Sequence, residues 1–302
     1  MDIKYYNRIS GKIENEKVYG DKAIEWLYKS SLGKRLSNLI CQAPFSVLYG
    51  KFQDLTVSHL KVDPFIKKFD INMDDYLPEE GRKSLYPYST FNQFFIRRFK
   101  PGKRPFVKES NQMAAFSEAR YFGYESVHAD ETVPVKGVYL RPEEIIANMK
   151  WSETFKDGPL LLARLCPVDY HRYHYPDNGK IVEDYRVPGL LHSVNPLALK
   201  EKQDILITNE RHVTIIETEN FGKLAYVEVG ATCVGKIVQS KKLVAGESFE
   251  RGEEKGFFLF GGSTVIVIGE KGKWTPSQDI ITNTKNGLET YLHLGMSVAN
   301  KG

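Results

Sequence analysis

The chain has 302 residues, 26% of them charged and 41% hydrophobic, with a net charge of +4. That is enough for one large domain or two small ones, and so mild a balance gives no ground for a nucleic-acid partner. No apolar run approaches the ~18–20 residues of a spanning helix, and the first residues hold no signal-peptide apolar region. The three cysteines, Cys41, Cys166 and Cys233, are odd in number and widely spaced, which indicates a reducing compartment rather than a disulfide framework.

The first third reads as helical. From Asp21, a candidate N-cap, the residues Ile24, Leu27, Tyr28, Leu32, Leu36, Leu39 and Ile40 fall on one helical face, and a second apolar stretch runs from Ala43 to Phe52. Two readings compete: a helix packed on its own core, or one lying in a lipid interface, which Trp26, Tyr28, Phe45, Tyr49 and Phe52 beside lysines suit. Residues 1–75 are therefore expected to form a helical, membrane-associating region. Tyr76 to Thr90 reads as a linker. In "FNQFFIRRFKPGKRP" (residues 91–105), Phe91, Phe94, Phe95 and Phe99 suit one face of a short helix. Arg97, Arg98, Lys100, Lys103 and Arg104 form a basic cluster, either a solvated face or a site for anionic headgroups. The expected lipid contacts are Trp26, Lys34, Arg35, Arg97, Arg98 and Lys100, and residues 76–110 are taken as a linker and basic aromatic helix.

Beyond residue 111 the pattern turns to short β-rich runs: Val213–Ile216, Leu224–Val229, Val234–Val238, Phe257–Phe260 and Thr264–Ile268, with one short helix over Pro142–Lys150. The fold class is α+β, a mainly antiparallel β domain over 111–302 behind the helical N-terminal region.

Two motifs carry chemistry. "RLCPVDYHRYHYPDNG" (164–179) sets His171 and His174 three apart, beside Asp169. The pair could bind a metal, pack without a chemical role, or do acid–base work. No further Cys/His pair accompanies them, and no metal is expected. In "FFLFGGSTVIVI" (257–268), Gly261, Gly262, Ser263 and Thr264 interrupt an apolar strand pattern. A bulge or a corner explains this, and so does a reactive backbone, in which a serine hydroxyl attacks the carbonyl before it. The second explanation needs a base.

Together with "HSVNPLALKEKQDILITNER", "YVEVGATCVGKIV" and the basic aromatic segment, these motifs resemble the phosphatidylserine decarboxylase proenzyme family, which is pyruvoyl-dependent. The resemblance implies an inactive precursor in which Ser263 attacks the carbonyl of Gly262. The chain would break between 262 and 263 into a β chain, 1–262, and an α chain, 263–302. Ser263 would become a covalent pyruvoyl group. The resemblance assigns His174 as the base for cleavage and His171 to reprotonation during turnover. Phosphatidylserine would form a Schiff base with the pyruvoyl group, lose carbon dioxide and leave as phosphatidylethanolamine. The implied partners are phosphatidylserine, an anionic membrane surface and the protein's own cleaved chains, with a homodimer left open. The implied setting is peripheral, on the cytoplasmic face of a bacterial cell membrane.

The sequence departs from the family at Ser-Pro-x-Asp-Gly, whose aspartate orients the base histidine. Here Ser117 is followed by Glu118, Ala119, Arg120 and Tyr121, so Arg120 stands where the aspartate is lost. An orienting aspartate is worth ~10⁴ in rate in protease triads. Glu118 and Glu125 are the expected substitute carboxylates, and aspartate restored at position 120 is expected to speed processing. Two alternatives stay open: an unprocessed relative that binds anionic lipid, and an enzyme acting on another amine-bearing substrate.

Overall fold

Runs such as "LLLARL" and "STVIVIG" are apolar at nearly every position, the pattern of strands covered on both faces. The computed structural model describes residues 3–16, 30, 50–82, 86–127, 132–133, 138–139, 142–194, 198–199, 202, 204–231, 237–261 and 263–302. In chain order the strands are β1 (Lys4–Asn7), β2 (Lys12–Asn15), β3 (Gln112–Ala114), β4 (Ala119–Tyr124), β5 (Thr132–Val133), β6 (Val138–Tyr139), β7 (Leu160–Leu165), β8 (Arg172–His174), β9 (Gly179–Val187), β10 (Arg211–Thr218), β11 (Gly222–Val229), β12 (Ile237–Gln239), β13 (Ser248–Phe249), β14 (Glu254–Phe258), β15 (Ser263–Gly269), β16 (Trp274–Pro276), β17 (Glu289–Leu292) and β18 (Ser297–Lys301).

Ten of these form one sheet in the order β13-β9-β10-β11-β15-β7-β4-β17-β1-β2. Its pairs are antiparallel except for β1 beside β17. A three-stranded sheet, β12-β14-β8, carries the histidine motif. The fold is thus α+β, mostly antiparallel and with few helices. Val265 to Ile268 of β15 are wholly buried between β11 and β7. Each side chain of that size contributes roughly 1.5–3 kcal/mol on burial.

Several elements differ from the sequence reading. Residues 4–15 form a hairpin that extends the main sheet, not a helix. The expected helix over Pro142–Lys150 is two, Pro142–Ile146 and Met149–Thr154, because Ala147 adopts a left-handed backbone (φ 53°) that no helix continues through. The helix Phe91–Phe95 ends before Phe99, which stacks on Tyr76 instead. The amphipathic pattern from Asp21, the lipid contacts Trp26, Lys34 and Arg35, and residues 234–236 of an expected strand lie outside the described residues. Among those described, no helix is long and apolar enough to cross a membrane.

The basic cluster is not one surface. Arg97 is buried and donates to the carbonyls of Phe94, Val168 and Asp169, so it is no headgroup contact. Arg104 binds Glu118 and Asp75, and Lys103 also reaches Asp75. Arg98 and Lys100 are exposed.

Just past β2, Glu16 enters the protein. Its carboxylate lies 2.6 Å from Arg164 Nη2 and 3.3 Å from Arg120 Nε, and Arg164 also pairs with Glu289. Burial pushes the Glu16 carboxyl up, but the two guanidinium groups outweigh it and hold it at about 2. Breaking a buried pair strands a charge and costs roughly 3–5 kcal/mol. Glu16→Ala should lower the unfolding free energy by about 3 kcal/mol in denaturant titration. A loss below about 1 kcal/mol would show that the hairpin is not held by this carboxylate.

Candidate active site

Ser263 opens β15 opposite Leu165, the last residue of β7, so the ladder sets the hydroxyl level with the end of that strand. Cys166–Asp169 then forms a tight turn, closed by the Asp169 N–H donating to the Cys166 carbonyl at 2.8 Å. Pro167 supplies the fixed φ that such a turn wants at its second position. The Asp169 carboxylate accepts from the Cys166 N–H at 2.7 Å. This reversal returns His171 to the start of β15.

His171 Nδ1 lies 3.2 Å from Ser263 Oγ, and Nε2 lies 2.9 Å from the Cys166 carbonyl oxygen. A carbonyl can only accept, so Nε2 carries the hydrogen of the neutral ring. Nδ1 then presents its lone pair to the serine hydroxyl. Both residues are fully buried, and the Phe95 ring stacks on the imidazole at 3.8 Å. Burial lowers the His171 pKa to about 3; the Cys166 carbonyl opposes this and the Arg97 charge adds to it. The ring is therefore a neutral acceptor at ordinary pH.

His174 is the mirror case. Its Nδ1 donates to the Gly252 carbonyl at 2.8 Å, and its Nε2 faces the Tyr170 hydroxyl at 3.3 Å. Burial lowers its pKa as well, against the pull of the Gly252 carbonyl. The expected pairing of Ser263 with His174 is not what the structure holds: the hydroxyl's partner is His171. Three residues along the chain are enough to turn the second imidazole toward Gly252 and Tyr170.

Gly262 lies outside the described residues. Its neighbours show that the Gly-Gly step does not interrupt a strand, since β14 ends at Phe258 and β15 starts at Ser263 in a different sheet. Gly261 has φ 151°, a conformation that L side chains rarely adopt, which explains glycine there.

A family model for phosphatidylserine decarboxylase matches residues 91–299. The chain belongs to the phosphatidylserine decarboxylase family. The phosphatidylserine decarboxylase proenzyme of Clostridium botulinum is 37% identical over 300 residues, 99% of each chain. That of Clostridium perfringens is 38% identical over 300 residues, 99% of this chain and 100% of its own. That of Desulfitobacterium hafniense is 37% identical over 303 residues, 99% of each. These matches are to a decarboxylase, a lyase of phospholipid biosynthesis, along nearly the whole chain. They lend no support to the unprocessed lipid-binding alternative.

Neither expected substitute carboxylate reaches His171 or His174. Glu118 is buried against Arg104, with Tyr291 Oη and the Leu294 N–H also donating to it. Glu125 is exposed, 3.7 Å from Lys285. Arg120 does not bear on an imidazole either: its Nη1 donates to Asp169 Oδ2 at 2.6 Å, and Glu16 lies on its other side. Aspartate at position 120 would thus face two carboxylates, Asp169 and Glu16, and no imidazole.

Asn92 was missed by sequence reasoning. It is buried, its Oδ1 accepts from the Phe260 N–H at 2.9 Å, and its Nδ2 donates to Asp54 at 2.7 Å. It fixes the backbone two residues before Gly262. The signal was available: an amide among three phenylalanines in "FNQFF" must find partners when buried.

Asn92→Ala should cost about 2 kcal/mol in urea unfolding, because the Phe260 N–H loses its acceptor. A loss within experimental error would mean that this segment is held by its rings alone. In the Ser263→Ala protein, the His171 ring should show no titration in ¹⁵N spectra between about pH 5 and pH 8. A midpoint inside that window would refute the buried neutral base.

Proposed function

We propose that this chain is a self-processing, pyruvoyl-dependent phosphatidylserine decarboxylase in which His171, not His174, is the base for cleavage. The observation that carries the reading is the neutral His171 ring, with Nε2 committed to a carbonyl and Nδ1 open to Ser263 Oγ. Ser263 attacks the carbonyl carbon of Gly262 while its proton passes to His171 Nδ1. That proton is then available to the departing amide nitrogen as the C–N bond breaks, which leaves Gly262 joined to Ser263 Oγ as an ester. Loss of the Ser263 α-proton then expels the Gly262 carboxylate and separates chains 1–262 and 263–302. The dehydroalanine left at the head of the shorter chain tautomerises to an imine, which water hydrolyses to the pyruvoyl carbonyl with release of ammonia. A ring with a pKa near 3 is a reluctant base, well below the match to ambient pH that fast general-base catalysis favours. Cleavage happens once per molecule, and a slow step is sufficient.

The residues present fit a serine-derived pyruvoyl group. Ser263 is buried at a strand start, its hydroxyl has an imidazole acceptor, and Gly261, two residues before it, takes a glycine conformation. Such a group supplies a carbonyl that captures the substrate amine and draws off the electrons left when carbon dioxide departs. His171 Nδ1 stays aimed at that position, where it can hold and return a proton. Phe95 and Phe260, which meet edge to face at 5.0 Å, shield it from water.

Membrane association on the cytoplasmic face, through the N-terminal region beyond the 4–15 hairpin and the exposed Arg98 and Lys100, belongs to the same proposal. Exposed Phe52, Leu55 and Leu60 beside Lys61 support it.

Intact-mass analysis of purified protein should show two chains, the shorter beginning with a pyruvoyl group, and the split protein should release phosphatidylethanolamine from phosphatidylserine vesicles. Ser263→Ala and His171→Ala should each stay in one piece, whereas His174→Phe should split. A His171→Ala protein that splits at the normal rate, with an intact His174→Phe protein beside it, would return the base to His174.

A further inference from the structure

The position of the family's orienting aspartate holds an arginine, and among the described residues no carboxylate is hydrogen-bonded to His171 or His174, so something else must fix the His171 ring. We propose that Asp169, locked by Arg120, is the positioning residue for His171 and acts through the peptide groups of Cys166. This rests on the reading of His171 as the base.

Cys166 is gripped at both of its backbone polar groups. Its N–H donates to Asp169 Oδ2 at 2.7 Å, and its carbonyl accepts from the Asp169 N–H at 2.8 Å and from His171 Nε2 at 2.9 Å. The carboxylate therefore holds one end of the residue whose other end selects the imidazole tautomer. Arg120 reaches the same oxygen, Asp169 Oδ2, at 2.6 Å from β4. Its guanidinium lies over the Tyr5 and Tyr291 rings, at 4.5 and 5.3 Å, which leaves it little freedom. Arg97 clamps the far edge of the turn through the carbonyls of Val168, at 2.9 Å, and Asp169, at 3.1 Å.

Charge explains why position 120 is a cation. Arg120 and Arg164 stand opposite each other on β4 and β7, among the carboxylates of Glu16, Glu289 and Asp169. Without Arg120, three buried anions would share one guanidinium. The charged and titratable groups facing Asp169 are Arg120, Arg97, Glu16, Glu118 and Cys166, with Tyr5 and Tyr291. Burial raises the Asp169 pKa to about 6, with Arg120 pulling it down. The His171 ring itself titrates far lower, so an acid limb near pH 6 belongs to Asp169.

The test follows the rate at which freshly synthesised full-length precursor splits, from about pH 5 to pH 8.5, in proteins checked for folding by thermal unfolding. The wild-type rate should fall on the acid side with a midpoint near pH 6. Asp169→Asn should slow splitting by about tenfold or more and lose that limb. Arg120→Met should move the limb to higher pH, and Arg120→Lys should keep both rate and midpoint near wild type. A purely structural role would lower folded yield without moving the limb. Folded Asp169→Asn that splits at the wild-type rate overturns the proposal. If Asp169→Asn does not fold, an unshifted limb in Arg120→Met overturns it. A second readout needs no cleavage: ¹⁵N spectra of Ser263→Ala should show the Nε2-protonated tautomer of His171, and adding Arg120→Met should give a mixture. An unchanged single tautomer counts against the lock. Wild-type protein that never splits defeats the processing reading, and the tautomer measurement then decides the positioning role alone.

Discussion

The Cys166 carbonyl accepts from His171 and so decides which imidazole nitrogen carries the hydrogen. Were that carbonyl turned away, the ring could flip its tautomer and meet Ser263 with an N–H, which accepts nothing. The constraint is made locally, by a four-residue turn between two strands, but enforced from afar. β4 supplies Arg120, the turn supplies Asp169, and the Phe91–Phe95 helix supplies both the ring that stacks on His171 and the amide that steadies Phe260. An uncharged acceptor, a desolvated hydroxyl and a fixed backbone are the conditions for attack on a neighbouring carbonyl, and the fold meets them together.

Buried ion pairs are poor evidence of stability, because desolvation offsets much of their attraction. The cluster of Arg120, Arg164, Glu16, Glu289 and Asp169 is better understood as a device for register. Two arginines opposed across adjacent strands repel unless carboxylates arrive from particular directions. One arrives from the N-terminal hairpin, one from β17 and one from the turn beside the histidine. The first residues of the chain are in this way joined to the geometry of a serine far along it.

Much of this was legible in the sequence. The β-rich runs of β10, β11 and β15 read directly as strands, and the two motifs pointed to Ser263 and the histidine pair. The hairpin at residues 4–15 was not legible, because "KYYN" and "KIEN" are polar and become strand only by docking on β17. Spacing could not choose between His171 and His174, since one ring is directed by the turn at Cys166 and the other by the Gly252 carbonyl, distant in sequence. Nor could composition separate Arg97 from Arg98. They are neighbours of identical type, and only packing sends one inward to three carbonyls and the other to solvent.

β15 lies between β11 and β7, in the interior of the ten-stranded sheet, and β17 bridges β4 to the N-terminal hairpin. A cut ahead of Ser263 therefore frees no peripheral tail. A piece severed there would thread the centre of its parent and be retained by ladder hydrogen bonds and buried aliphatic contact. What such a cut would change is the route back after denaturation: one chain folding on itself would become two molecules that must first meet, so recovery would depend on concentration where the uncut precursor's would not.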